Sequence, residues 1–384
     1  MKAPKIRSRA KRDQYRQAGI GPKQFRAMPR EEAVEAHRQR MEGIDDPQVR
    51  REVEAAEELV DSTIFKALKN TVQLDIDYAT VAMHNDEATP PSKSQARPIE
   101  LALPTMTPEQ MAVLRHPDGA AIEDRSGVLL AIRLPNVLMG IHENMVNAGH
   151  KLSHTYKFTR DQYRATFNTA SSDLFKNGQI QYGYRYQIGR TVNKFAGYSP
   201  GITKDARQCV EQSHAFHKQS EAFHHILNQY LERLAPNLSR QSRRMWDSIR
   251  RDRDPEGYLA HIKCHFFSQF VRFNAGTKFH ADKRSCWSGF DAIAVFGEYD
   301  GGELQFEDLK CGFPSRPSDL FFIRGAGLRH DAASWSGSGR MVIALFSDRR
   351  VFFHESVERP RDLYPVYGKT HKAFRRQHPC TMAT

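Results

Sequence analysis

Phe273-Asn274-Ala275-Gly276-Thr277-Lys278-Phe279-His280-Ala281-Asp282, with His330 and Arg340 behind it, is the stretch on which the fold turns. Side chains at i and i+2 of an extended strand share a face, so His280 and Asp282 are expected to reach one point from one strand. His330 follows 48 positions after Asp282, far enough to arrive from another strand. Trp335-Ser336-Gly337-Ser338-Gly339 has the composition of a turn. Arg340 then opens the apolar run Met341–Phe346, a buried strand by length and content. On this reading His330 and Arg340 occupy neighbouring antiparallel strands.

The surroundings carry the same signal. Phe290–Phe296 is a strand candidate, Asp300-Gly301-Gly302 reads as a hairpin turn, and Glu303-Leu304-Gln305-Phe306 alternates polar and apolar residues. Asp319–Ile323 is a further short apolar run, and the set predicts an antiparallel sandwich or barrel. A second His-x-Asp triplet, His84-Asn85-Asp86, is followed by Glu87-Ala88-Thr89-Pro90-Pro91 and reads as surface loop. Two imidazoles and one carboxylate are the donors of a facial triad, which holds non-haem Fe(II) on one side and leaves positions open for a co-substrate and O2. The planar fork of an arginine suits a ligand with a free carboxylate.

Three segments, FNAGTKFHADKRS (273–285), YDGGELQFEDL (299–309) and PSDLFFIRGAGLRHDAASWSGSGRMVIALFSD (317–348), resemble the double-stranded β-helix core of the Fe(II)/2-oxoglutarate dioxygenases. The likeness spans about Phe267 to Phe353. It is similar to the prolyl-hydroxylase type and at least as much to the fungal proteins grouped with the TET and J-binding-protein base oxygenases. The resemblance implies an α+β chain with a jelly-roll core and N-terminal helices packed around it. It implies His280, Asp282 and His330 as iron ligands and Arg340 as the partner of the 2-oxoglutarate C5 carboxylate. Fe(II), 2-oxoglutarate and O2 are the implied cofactors, and the reaction is oxidation of a C–H bond with release of succinate and CO2. A nucleic-acid base such as a 5-methylpyrimidine is the expected substrate. A protein side chain, as in prolyl hydroxylases, is the alternative.

The net charge of +12 is spread unevenly over the 384 residues. Residues 1–30 hold ten Lys/Arg against one acid, 31–150 are acidic, 151–253 are strongly basic, and 254–384 are only mildly so. The basic blocks thus fit DNA or RNA as a partner without placing it at the iron site. The arm that begins with Lys2 and Lys5 reads as a disordered basic segment, serving nuclear import, phosphate contact or neither. No long apolar run or apolar leader appears, so neither a membrane span nor a secretory signal is expected, and the setting is read as intracellular and nuclear. Five scattered cysteines form no CxxC pair and fit reduced thiols, with Cys286 a small buried packing residue.

The expected organisation is a basic arm (1–30), a helical region (31–120), a helix-rich support (121–258), the dioxygenase core (259–354) and a tail (355–384). Asp46-Pro47 opens a helix with Val49, Val53, Ala56, Val60, Ile64 and Leu68 at helical spacing. Residues 85–98 read as a linker, and Val128–Ile132 reads as a strand. Tyr182, Tyr184 and Tyr186 alternate as on a half-buried strand. A long helix from about Lys204 to Leu234 is stopped by Pro236, and its His214, His217, His224 and His225 are surface or packing residues. Arg240, Arg243, Arg244, Arg250 and Arg251 around Trp246 form the densest basic patch, either a nucleic-acid footprint or a solvated helix.

Overall fold

Period-two alternation of apolar side chains builds the centre of the chain. The computed structural model describes residues 30–87, 105–158, 172–186, 196–198, 210–253, 261–286, 289–348 and 351–352. The expected arm and C-terminal tail, and most of the expected linker, lie outside the described residues.

Two sheets face each other. The large sheet runs in the order β1-β2-β3-β10-β7-β12-β6-β4-β5. These strands are β1 (Thr71–Gln73), β2 (Ala120–Glu123), β3 (Leu129–Leu134), β4 (Gly178–Tyr186), β5 (Ala196–Tyr198), β6 (Ser268–Phe273), β7 (Asp291–Gly301), β10 (Leu320–Ile323) and β12 (Trp335–Phe346). Only the β1–β2 pair is parallel. The small sheet is β11-β8-β9, from β8 (Leu304–Phe306), β9 (Cys311–Phe313) and β11 (His330–Ala332), all antiparallel. Strands before residue 200 therefore share one sheet with those after residue 267.

Alternation sorts the core into two layers. Ala292, Ala294 and Phe296 of β7 and Phe322 of β10 join the cluster formed with the helices. Val295 of β7 and Phe321 and Ile323 of β10 join the opposite cluster, with Leu304, Phe306 and Phe313 of the small sheet. The result is an α+β jelly roll with most of its helices on one face and two shorter ones, around Tyr78–Ala82 and Leu114, packed on the other, in keeping with the helices around a jelly-roll core that the sequence implies.

The helices are α1 (Arg30–Met41), α2 (Pro47–Lys69), α3 (Tyr78–Glu87), α4 (Pro108–Leu114), α5 (His142–Thr155), α6 (Val210–Gln219), α7 (Glu221–Leu234) and α8 (Pro236–Arg253). The start of α2 is set as its sequence predicts, with Pro47 in the first turn and the Asp46 carboxylate accepting from the backbone N–H of Gln48 and Val49. Val53, Val60, Ile64 and Leu68 are its buried stripe. Arg133 of β3 donates from Nε to Asp319 at 2.8 Å with both side chains fully buried, which ties β3 to the start of β10.

Four local expectations are corrected. Trp335–Gly339 is not a turn but the first half of β12, paired with β7 across a bulge between Gly337 and Gly339. Its glycines answer to close backbone approach: a Cβ on Gly337 (φ +135°) would sit 2.4 Å from Glu298 O, and one on Gly297 (φ +113°) would sit 2.3 Å from Gly339 O. Gly301-Gly302 is not a hairpin turn within one sheet, because β7 and β8 belong to different sheets. His84-Asn85-Asp86 ends α3 rather than lying in a loop, and Asn85 is buried, donating to Gly327 O and the Asp308 carboxylate. The expected long helix is divided by a turn at Ser220 into α6 and α7, and Pro236 opens α8 instead of only ending its predecessor.

Candidate metal centre and its cavity

The loop that leaves β6 begins with Asn274, held at φ +58°, a left-handed conformation that asparagine tolerates better than most residues. Asn274 pins Arg340: its N–H donates to Arg340 O at 2.8 Å, and its Oδ1 accepts from Arg340 N–H at 3.0 Å. Six residues on, His280 meets His330 in an isolated two-bond bridge, N–H to O at 3.2 Å and 2.9 Å. His280 and Asp282 are therefore on an extended loop stitched to the first residue of β11, and not on the regular strand that the sequence predicts.

The two imidazoles are oriented alike. His280 Nδ1 lies 2.9 Å from Lys278 O, and His330 Nδ1 lies 3.0 Å from Leu328 O. A carbonyl can only accept, so each Nδ1 carries the hydrogen and each Nε2 presents a lone pair. Those Nε2 atoms lie 3.6 Å and 3.5 Å from the two oxygens of Asp282. One ligand atom from each of the three residues falls within 4.8 Å of the others, which no other group of His, Cys, Asp or Glu achieves among the described residues. Burial lowers the pKa of His330, only partly offset by Asp282, and so favours the neutral ring that can ligate.

Asp282 is positioned from behind. Its N–H donates to Gly325 O at 2.8 Å, and its carbonyl accepts from Ser285 N–H at 2.7 Å. Gly325 leaves no room for a side chain, since a Cβ there would stand 2.3 Å from Asp291 Oδ2 and 3.0 Å from Asp282 Oδ2. Burial, with Asp282 alongside, pushes the Asp291 carboxyl well above the usual carboxylate range.

The triad opens into a cavity of about 240 Å³ between the sheets, walled by Ile293, Val295, Leu304, Phe321 and Val342. Arg340 projects into it from the large sheet. It is not on a strand adjacent to that of His330, because β12 pairs with β6 and β7 whereas β11 pairs with β8. The two residues face each other across the cavity instead. Arg340 is 4% exposed, lies over the Tyr299 ring at 5.1 Å, and makes one long contact from Nη2 to Gly302 O at 3.4 Å. Its Nε has no partner, and no carboxylate pairs with it among the described residues.

Sequence reading missed further polar groups in this cavity, among them Gln181, Arg272 and Asp291. Arg272 is the most consequential. Its guanidinium covers the Phe270 ring at 4.4 Å, its Nε has no partner, and burial pulls its pKa down to about 10. Period-two alternation over Ser268–Phe273 is the signal that would have placed Phe270 and Arg272 on one face.

The expected arginine patch is brought together only in part. Arg240, Arg243 and Arg250 line a separate cavity in the helical layer that shares no residue with the metal centre. Arg244 is exposed outside it, and the side chain of Arg251 lies outside the described residues. His217 and His224 are buried packing residues, and Cys264, Cys286 and Cys311 are buried and in no disulfide.

No protein-family model matches the chain, and no curated protein does. Among solved structures, the chain is similar to NgTET1 in complex with 5mC DNA at a TM-score of 0.45 and 14% identity, over 71% of this chain and 92% of that one. It is similar to a 2OG-Fe(II) oxygenase family oxidoreductase from Burkholderia pseudomallei at a TM-score of 0.20 and 13% identity, over 26% and 53%. It is also similar to the viral collagen prolyl hydroxylase of Paramecium Bursaria Chlorella virus-1 bound to 2OG, at a TM-score of 0.18 and 15% identity, over 26% and 70%.

Proposed function

We propose that this chain is an Fe(II)- and 2-oxoglutarate-dependent dioxygenase whose substrate is a nucleic-acid base such as a 5-methylpyrimidine. The observation that carries the chemistry is the convergence of two Nε2 lone pairs and one carboxylate on a point inside a cavity that also holds an arginine without an acid partner. These residues fit the implied groups. Two neutral imidazoles and a carboxylate are the donor set of a facial iron site. A buried guanidinium with an unpartnered Nε is a site built for an anion, because leaving such a group unmatched costs free energy.

Iron with 2-oxoglutarate and O2 supplies oxidation of an unactivated C–H bond, with release of succinate and CO2. His280, Asp282 and His330 would hold the metal, their Nδ1–H···O=C bonds fixing ring orientation. Arg340 would hold the distal carboxylate of the co-substrate, and the Tyr299 ring beneath keeps its fork in place. The apolar wall of Ile293, Val295 and Phe321 excludes water from the reacting centre. Arg272, over the Phe270 ring, and Gln181 offer a guanidinium and an amide edge to a substrate ring.

Support for a base as substrate comes from the sequence resemblance and from the basic blocks. Such a base must be presented from a single strand or flipped from a duplex. A nuclear setting goes with this substrate. The test incubates the chain with Fe(II), 2-oxoglutarate and either methylated DNA or a peptide pool, and reads added oxygen by mass spectrometry together with succinate. Oxidised base with unmodified peptide is expected. Modified peptide with intact base would move the substrate to a protein side chain, and no succinate with any substrate would overturn the chemistry.

A further inference from the structure

The second cavity, of about 430 Å³, lies where α1, α7 and α8 meet the segment after residue 261. We propose that it is a binding site for phosphate groups. Its volume falls in the range of small-molecule sites, and its lining is rich in groups that can only donate. Arg40, Arg240, Arg243, Arg250, Lys263 and Trp246 all face it. Two carboxylates oppose them. Glu232 is occupied by Arg40 at 2.7 Å, and Asp247 stands exposed on α8.

Arg40 pairs with Glu232 and Glu57, and Arg250 donates to Ile262 O at 2.6 Å, but the other three cations are not consumed by the fold. Arg240 and Arg243 lie one helical turn apart, both exposed, and neither they nor Lys263 form an ion pair among the described residues. Arg240 has a single long contact, 3.5 Å to Asn237 Oδ1. Trp246 is 1% exposed and its indole N–H has no partner, while Arg250 is stacked 5.3 Å from the same ring. A buried donor without an acceptor, the Trp246 N–H, calls for an acceptor-rich ligand. The positive field is felt by the buried wall: after burial itself, Arg243 is the next cause holding His265 down to about 3, with Arg250 and Arg40 adding to it. A phosphate group, with three or more acceptor oxygens and full negative charge, matches this lining. It could come from a phosphodiester chain or from a free phosphorylated molecule.

The experiment measures binding, without iron or 2-oxoglutarate, so it stands or falls apart from the oxidative reading. Inorganic pyrophosphate and a labelled single-stranded oligonucleotide are titrated separately into the whole chain, by calorimetry and fluorescence anisotropy, at several salt concentrations. The wild type is expected to bind at least one probe. Arg240→Gln with Arg243→Gln should weaken that probe about tenfold or more, and the salt slope for the oligonucleotide should fall by roughly one for each lost contact. Lys263→Gln, made separately, should weaken binding in the same direction and guards against misfolding of the double variant. Binding of the oligonucleotide alone assigns the site to a phosphodiester chain, and binding of pyrophosphate alone assigns it to a free phosphorylated ligand. No binding of either probe to the wild type, or wild-type affinity in both variants, would overturn the proposal.

Discussion

The two cavities of this molecule are built on opposite principles. The one between the sheets has an apolar wall, and the four groups of its triad and arginine are held from behind: His280 by Lys278 O, His330 by Leu328 O, Asp282 by Gly325 and Ser285, Arg340 by Asn274. The one in the helical layer is lined by long cationic side chains, of which Arg240, Arg243 and Lys263 form no ion pair among the described residues. A site that must position atoms to a fraction of an ångström needs fixed rotamers and a supporting shell. A site that recognises charge tolerates flexible stems. Strand pairing supplies the first and helix faces supply the second.

The sharpest way to break this contrast is to remove a triad member. His330→Ala should abolish iron retention and succinate formation, a larger loss than the roughly 10–100-fold seen for supporting residues. Binding in the helical cavity should be unaffected. Arg340→Lys should raise the KM for 2-oxoglutarate by about tenfold or more, because an ammonium cannot reproduce the bidentate fork, while iron still binds. Gly325→Ala adds a Cβ where Asp282 and Asp291 already meet. It should weaken iron affinity by about tenfold, read by calorimetry, with little change in the helical layer.

The smallest effect is expected in acid and reverses the contrast. Burial holds His224 and His265 down to about 3 and His217 well below its ordinary value. All three belong to the helical layer. Their folded pKa values are depressed, so as pH falls below about 6.5 the unfolded chain takes up protons first. The stability they allow is present above that point and is lost progressively toward about 3. Thermal unfolding should therefore drop in midpoint from about pH 7 to about pH 5, and His224→Gln should flatten the drop. An unchanged slope would show that these histidines do not set acid stability.

The sequence carried the donors of the metal centre because donors are chemically unmistakable, but not the way they meet. His280 and Asp282 were placed on one strand by period two, whereas a bridge to His330 does the joining. Trp335–Gly339 read as a turn because glycine and serine dominate it; those glycines are there so that β12 and β7 can approach across a bulge, a tertiary requirement invisible to local composition. Phe270 and Arg272 went unread because six residues of β6 fall between louder signals. The arginine patch on α8 was legible as a patch, but which arginines share a cavity depended on α1 and Lys263, distant in sequence.

The central claim is that His280, Asp282 and His330 form one iron site served by Arg340. Anaerobic titration with Fe(II), followed by 2-oxoglutarate, tests it most directly. A single iron per chain is predicted for the wild type, lost in His280→Ala and in His330→Ala, and retained in Arg340→Lys with weakened 2-oxoglutarate binding. Equal iron binding by the wild type and both histidine variants would contradict it.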